Sequence, residues 1–208
     1  MNIVIILLMA SAFFLTRVTN LRAAVGILLA QSIVVAAASL TVGFETGQTH
    51  YFFAALLTVL IKALIIPYAL FRILKRMRRE KEVGSTYSPN FSSLAAVAAI
   101  ALAYGFMAKA LPGIISRDAL AASVALVLIG LQIIMIRRQA ILQIVGLNTM
   151  ENGLYLLGLS VTKGLPLIIE LGIFFDVLIA VGILGLLTYR LKLSYQSTDT
   201  TVLQKLKG

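Results

Sequence analysis

The sequence predicts an all-α, polytopic membrane protein that crosses a bilayer about seven times, with its amino terminus outside and its carboxyl terminus in the cytoplasm. Three observations carry this reading. The 208-residue chain is 60% hydrophobic and has a mean hydropathy of +1.00. It contains several apolar runs of about 20 residues, the length a helix needs to span hydrocarbon, where only a helix or a closed barrel satisfies its own backbone hydrogen bonds. Its 18 lysines and arginines are also unevenly shared: placing alternate loops on one side puts 14 there and 3 on the other, with Lys62 inside a span. Basic residues collect on the cytoplasmic face, so the net charge of +10 reports topology rather than a nucleic-acid surface.

Taken in order, the first run, Asn2 to Thr16, lacks the basic start and cleavage site of a signal peptide and is followed at once by another span, so it reads as a retained helix. The second covers Leu21 to Phe44, with Gln31 at its middle, and a loop from Glu45 to His50 follows. The third, Tyr51 to Leu74, holds Lys62 near its centre; Pro67, five residues on, frees a carbonyl and kinks the helix. These form a front unit, residues 1–80. The basic and Gly/Ser/Pro-rich loop that follows, together with an Ala-rich fourth helix over Ser92 to Leu111, makes up residues 81–117. The loop's charge suits anionic lipid, and Ala with Gly105 suits close helix packing. A back unit of three helices occupies 118–192, and a cytoplasmic tail 193–208.

The back unit carries the chemistry. Its fifth helix runs from Asp118 to Ile136 and ends at Arg137 and Arg138. On the sixth, Asn148, Glu151, Asn152 and Tyr155 fall at i, i+3, i+4 and i+7 and share one face. Lipid penalises such a polar stripe, so it faces other helices or a hydrated cavity. The seventh helix carries Glu170 and Asp176. Glu151 lies twelve residues before the turn at Lys163 and Asp176 thirteen after it, which puts both acids near one depth. Lys62, eleven residues into an inward-running helix, reaches the same level. Mid-membrane ionisable groups cost several kcal/mol unless neutral, paired or wetted, and mark ion pathways. Lys62, Glu151, Glu170 and Asp176 are therefore the candidate proton path, with Gln31, Asn148, Asn152 and Tyr155 in support.

Other chemistry is excluded. The chain has no cysteine to ligate iron–sulfur clusters or form disulfides, and its single histidine, His50, cannot supply a paired-histidine haem. No cofactor, metal or catalytic residue is expected in this chain. Its polar segments are too short to fold as a soluble domain, so any catalytic domain sits on a partner.

The segments GLNTMENGLYLLGLS and PLIIELGIFFDVLIAV, with IKALIIP around Lys62 and the closing LKG, resemble hydrogenase-4 component E over the whole chain. That family provides membrane subunits of energy-converting nickel–iron hydrogenases such as formate hydrogenlyase-2. From Asp118 to Lys192 the chain also resembles the NuoK-type small subunit of complex I and its relative in Mrp antiporters. Matching Arg137-Arg138 and Gly146-Leu147 to that pattern sets Asp176 on the second family glutamate and Asn148 on the first. The acid nearest the first is then Glu151, one turn along the same face.

The resemblance implies a prokaryotic inner-membrane subunit between antiporter-like and NuoH-like membrane subunits and a peripheral hydrogenase arm. Two alternatives stand beside it: a structural subunit whose ion pairs fix helix register, and a subunit of a cation/proton antiporter complex. The topology is tested with reporters. A fusion after Gly208 is expected in the cytoplasm and an insertion near Thr46 outside; finding both on one side removes the seven-helix arrangement.

Overall fold

The computed structural model describes residues 2–75, 89–107 and 117–162, together with Gly182 and Gly185. These residues build six helices: α1 (Asn2–Arg17), α2 (Leu21–Thr46), α3 (Thr49–Lys75), α4 (Pro89–Met107), α5 (Arg117–Ile136) and α6 (Ala140–Thr162). Four of them, α2 to α5, contain stretches long and apolar enough to cross a membrane, whereas α1 is a shorter apolar helix. Of the expected seventh helix only Gly182 and Gly185 are described; Glu170 and Asp176, the basic loop beyond Lys75 and the tail lie outside the described residues.

Local signals account for the helix ends. Asn20 caps α2 by accepting from the backbone N–H groups of Arg22 and Ala23, which lack intrahelical partners. At the other end Gly47 takes a left-handed φ of 67°, and its N–H closes on Gly43 O. Helix α2 therefore runs through Thr46, past the Phe44 expected from sequence. His50, expected in a loop, sits in the first turn of α3 against the ring of Tyr51.

Two hairpins, α1–α2 and α5–α6, each closed by a three-residue connection, 18–20 and 137–139, supply most of the core, which also takes in Tyr51, Ile66, Leu70 and Leu74 of α3 and Ala96 and Ala99 of α4. They lie side by side, α1 against α5 and α2 against α6; α3 packs on α2, and α4 on α5 and α1. The tightest contact is within the second hairpin. Gly130, Gly146 and Gly153 let the α5 and α6 backbones meet: a Cβ on Gly130 would lie 2.5 Å from Met150 N, and one on Gly153 would lie 2.8 Å from Ser123 O. Small residues at such crossings allow the dispersion contacts that hold helices together where the hydrophobic effect is weak.

Arg137 joins the hairpins. The sequence reading counts it among loop charges, but it is 4% exposed, and its guanidinium donates to the carbonyls of Leu15 and Thr16 at the end of α1. Those carbonyls have no intrahelical donor, and the negative end of the helix dipole favours a cation there. Gln143 Nε2 donates in turn to Arg137 O at 2.9 Å, fixing the turn that carries it. Outward-facing positions are apolar, including Leu94, Val97, Leu102 and Phe106 on α4, a surface that suits hydrocarbon rather than water.

Helix α3 is not a uniform α-helix. Thr58–Ile65 winds as an eight-residue π segment, ending where the N–H of Ile66 bonds Ile61 O, five residues back. Pro67 follows after Ile66. A proline ring clashes with the carbonyl four residues earlier, here Ala63, and the wider turn relieves that clash. The expected irregularity thus lies on the amino-terminal side of Pro67 and includes Lys62.

The glycine contacts give a direct test. Gly130→Ala is expected to push α5 from α6 and to destabilise the protein by about 1–3 kcal/mol, as overpacking does. Gly26→Ala is the control, because a Cβ there meets nothing within 4 Å. Thermal midpoints of detergent-extracted protein should fall for the first and stay level or rise for the second.

Candidate functional site

The π segment presents Lys62 to α6, where it is 1% exposed. Its Nζ lies 2.9 Å from Glu151 Oε1, an ion-pair contact outside hydrogen-bond angles, and donates to Asn152 Oδ1 at 3.0 Å. Glu151 is 3% exposed and Asn152 is fully buried. A lysine in mid-span has a bland explanation, snorkelling towards an interface, which this burial removes. Helix α6 supplies both partners because consecutive residues on its polar stripe straddle the amine.

Two further contacts tie the same stripe to α2. The single hydrogen of Thr149 Oγ1 is shared between Val145 O at 2.9 Å and Gln31 Oε1 at 3.2 Å. Further along, Tyr155 Oη lies 2.6 Å from Ser39 Oγ. Ser39 Oγ also bonds Val35 O at 3.1 Å. Asn148 turns instead to its own helix, donating to Ile144 O at 3.0 Å.

The structure therefore brings Lys62, Glu151 and Asn152 into one site, and on either side of it sets Gln31 and Ser39 of α2 against Thr149 and Tyr155 of α6. Glu170 and Asp176 lie outside the described residues. Beyond α6, Gly185 lies against α3: a Cβ there would be 3.2 Å from Ile73 Cδ1. Sequence reasoning missed Ser39, Thr58 and Thr149. Hydroxyl side chains in apolar helices usually bond their own preceding turn and so carry little signal. For Ser39 the usable signal was its spacing, two turns from Gln31 on one face of α2.

Chemically, an ammonium and a carboxylate in contact inside a low-dielectric bundle form a switchable unit. One proton passed from Nζ to the carboxylate converts two charges into two neutral groups, with no change in net charge. The pair thus responds to any charge that arrives nearby, and its attraction is little screened by water. No group of three or more metal-ligating His, Cys, Asp or Glu side chains occurs among the described residues.

Comparison with known proteins relates the chain to a hydrogenase component. The chain is 28% identical over 207 residues to hydrogenase-4 component E of Escherichia coli, spanning 97% of this chain and 94% of that protein. The same protein of Shigella flexneri matches to the same extent. An uncharacterized protein of Mycobacterium tuberculosis is 29% identical over 205 residues, spanning 97% of this chain and 92% of that protein. The chain is a distant relative of hydrogenase-4 component E over nearly its whole length. No protein-family model matches it, and no solved structure matches it.

The ion pair predicts a characteristic pattern of stability. Removing one member of a buried pair strands the other, at a cost of about 3–5 kcal/mol, whereas replacing both with apolar residues is often neutral. Lys62→Met and Glu151→Leu should each lower the thermal midpoint of the extracted protein, and the double variant should recover most of the loss. Additive losses in that cycle would show that the two side chains do not interact.

Proposed function

We propose that this chain is an integral subunit of an energy-converting nickel–iron hydrogenase complex of the formate hydrogenlyase type, in a prokaryotic cytoplasmic membrane. Its role there is proton translocation: Lys62 and Glu151 form one station, and Glu170 and Asp176 continue the path. The single observation that carries this reading is the Lys62–Glu151 ion pair, buried between α3 and α6 at 2.9 Å with Asn152 beside it. Charged groups so placed are expensive in a membrane protein and mark ion routes. The full-length similarity to hydrogenase-4 component E supports the kind of complex.

In this reading the redox chemistry belongs to a peripheral hydrogenase arm. Antiporter-like and NuoH-like membrane subunits flank the chain, whose amino terminus is outside. Charge set free beside one end of the path draws a proton onto or off the Lys62–Glu151 pair. The switched pair then changes the field felt by the next acid. In this reading Asp176 is that next acid.

A second reading, that the pair fixes helix register, is favoured by the additional bond from Lys62 to Asn152. Substitution in the assembled complex separates the two. Glu151→Gln keeps an acceptor oxygen for the amine and Asp176→Asn keeps the acid's shape, so the proton-path reading expects assembled complexes with hydrogen turnover under uncoupled conditions but weakened proton translocation. Reconstituted complexes carrying both changes that pump like wild type would reject it. Loss of assembly instead supports the register role.

A further inference from the structure

The ion pair is bordered by a set of polar ends with no partner among the described residues. Gln31, Asn148, Glu151 and Asn152 are each at most 3% exposed, and each is anchored at one end only. Gln31 Oε1 is held by Thr149, Asn148 Nδ2 by Ile144 O, Asn152 Oδ1 by Lys62, and Glu151 Oε1 by the same amine. Their opposite ends, Gln31 Nε2, Asn148 Oδ1, Asn152 Nδ2 and Glu151 Oε2, make no hydrogen bond among the described residues, and neither does the buried Thr58 hydroxyl. An unmade hydrogen bond on a buried polar group costs about 1–3 kcal/mol, and native proteins rarely leave several together.

The unmade ends are chemically matched. Two are amide donors, two are carbonyl or carboxylate acceptors, and the fifth is a hydroxyl that can act as either. Water, which donates two bonds and accepts two, is the small molecule that completes such a mixture, and buried waters are found where two to four polar partners converge. Asn148, Glu151 and Asn152 share one face of α6, and Gln31 reaches the same turn from α2 through Thr149. The α2–α6 seam is polar above and below this level, at Gln31–Thr149 and at Ser39–Tyr155. Eight residues of α2 separate those contacts, about 12 Å along the membrane normal.

We infer that the α2–α6 seam is a binding site for a short chain of water molecules, held by Gln31, Asn148 and Asn152, which wets Glu151 and gives the Lys62–Glu151 pair an axial branch in addition to any lateral path. This inference rests on the proton-path reading and adds a direction to it. Water hydrogen-bonded to Glu151 Oε2 accepts or returns the carboxyl proton, and Gln31 and Tyr155 mark the two ends of the branch.

The test uses the whole complex in liposomes, with protons moved per hydrogen turned over as the readout. Gln31→Leu and Asn148→Leu keep side-chain bulk but remove the polar ends. Each is expected to lower the ratio while hydrogen turnover under uncoupled conditions is kept. A map of the assembled complex that resolves solvent should show water within about 3 Å of Asn148 Oδ1 or Asn152 Nδ2. Direct protein partners on all of these atoms, from residues 163–208 or a neighbouring subunit, overturn the inference, and this readout survives failure of either variant to assemble. Unchanged pumping in assembled Gln31→Leu and Asn148→Leu complexes overturns it too, while loss of pumping in Glu151→Gln leaves the broader reading standing. If Glu151→Gln also pumps normally, the proton-path reading itself fails.

Discussion

A lysine held against a glutamate in the middle of a helical bundle constrains everything around it. Either charge alone in hydrocarbon is costly, so the folded protein keeps α3 and α6 in contact at one depth and one rotation. That requirement explains why α3, which packs mainly on α2, is also fastened to α6, and why the close crossing of α5 and α6 matters. The glycines at that crossing seat α6 closely against α5, and α6 so placed keeps Glu151 and Asn152 both within reach of one amine. Arg137 extends the constraint to the end of α1, by binding carbonyls that would otherwise be left without donors.

The similarity of the two hairpins adds to this picture. Each pairs an apolar first helix with a longer second helix through a three-residue turn, and like helices touch: α1 with α5, α2 with α6. An offset of 120 residues sets Arg17 on Arg137 and Gln31 on Glu151. The second hairpin holds the carboxylate and the buried arginine, whereas the first presents a neutral amide at the corresponding depth. The polar groups thus divide into an ionisable half and a hydrogen-bonding half, joined where Gln31 meets Thr149.

Much of this was legible in the sequence for simple reasons. Apolar runs have a length set by the bilayer, so the helices could be placed to within a few residues. The polar stripe from Asn148 to Tyr155 announced a buried face because hydrocarbon penalises it. Depth counting put Lys62 and Glu151 at one level, but nothing in the sequence stated that α3 would pack close enough for direct contact. The π segment was only half visible: Pro67 signalled an irregularity, but the widened turn is a property of the backbone register upstream. Arg137 was misread because an arginine next to a second arginine at a helix end looks like a membrane-surface charge. Its burial depends on the end of a helix about 120 residues earlier, which local pattern does not reveal.

The separation between Lys62 and its partners also bears on how the protein is made. Asn152 is synthesised 90 residues after Lys62. At about 5–20 residues per second the lysine waits about 5–20 s for the helix that receives it. During that interval α3 must enter the bilayer with an uncompensated amine, a cost of about 2.5–3.5 kcal/mol at mid-helix on insertion scales. Leu, Ile, Phe and Val each return about 0.3–0.6 kcal/mol, so about six of them offset one lysine. The stretch from Phe52 to Ile66 has ten. The greasiness of α3 is thus a condition of its biogenesis: it carries the charge into the membrane before the rest of the chain exists to neutralise it.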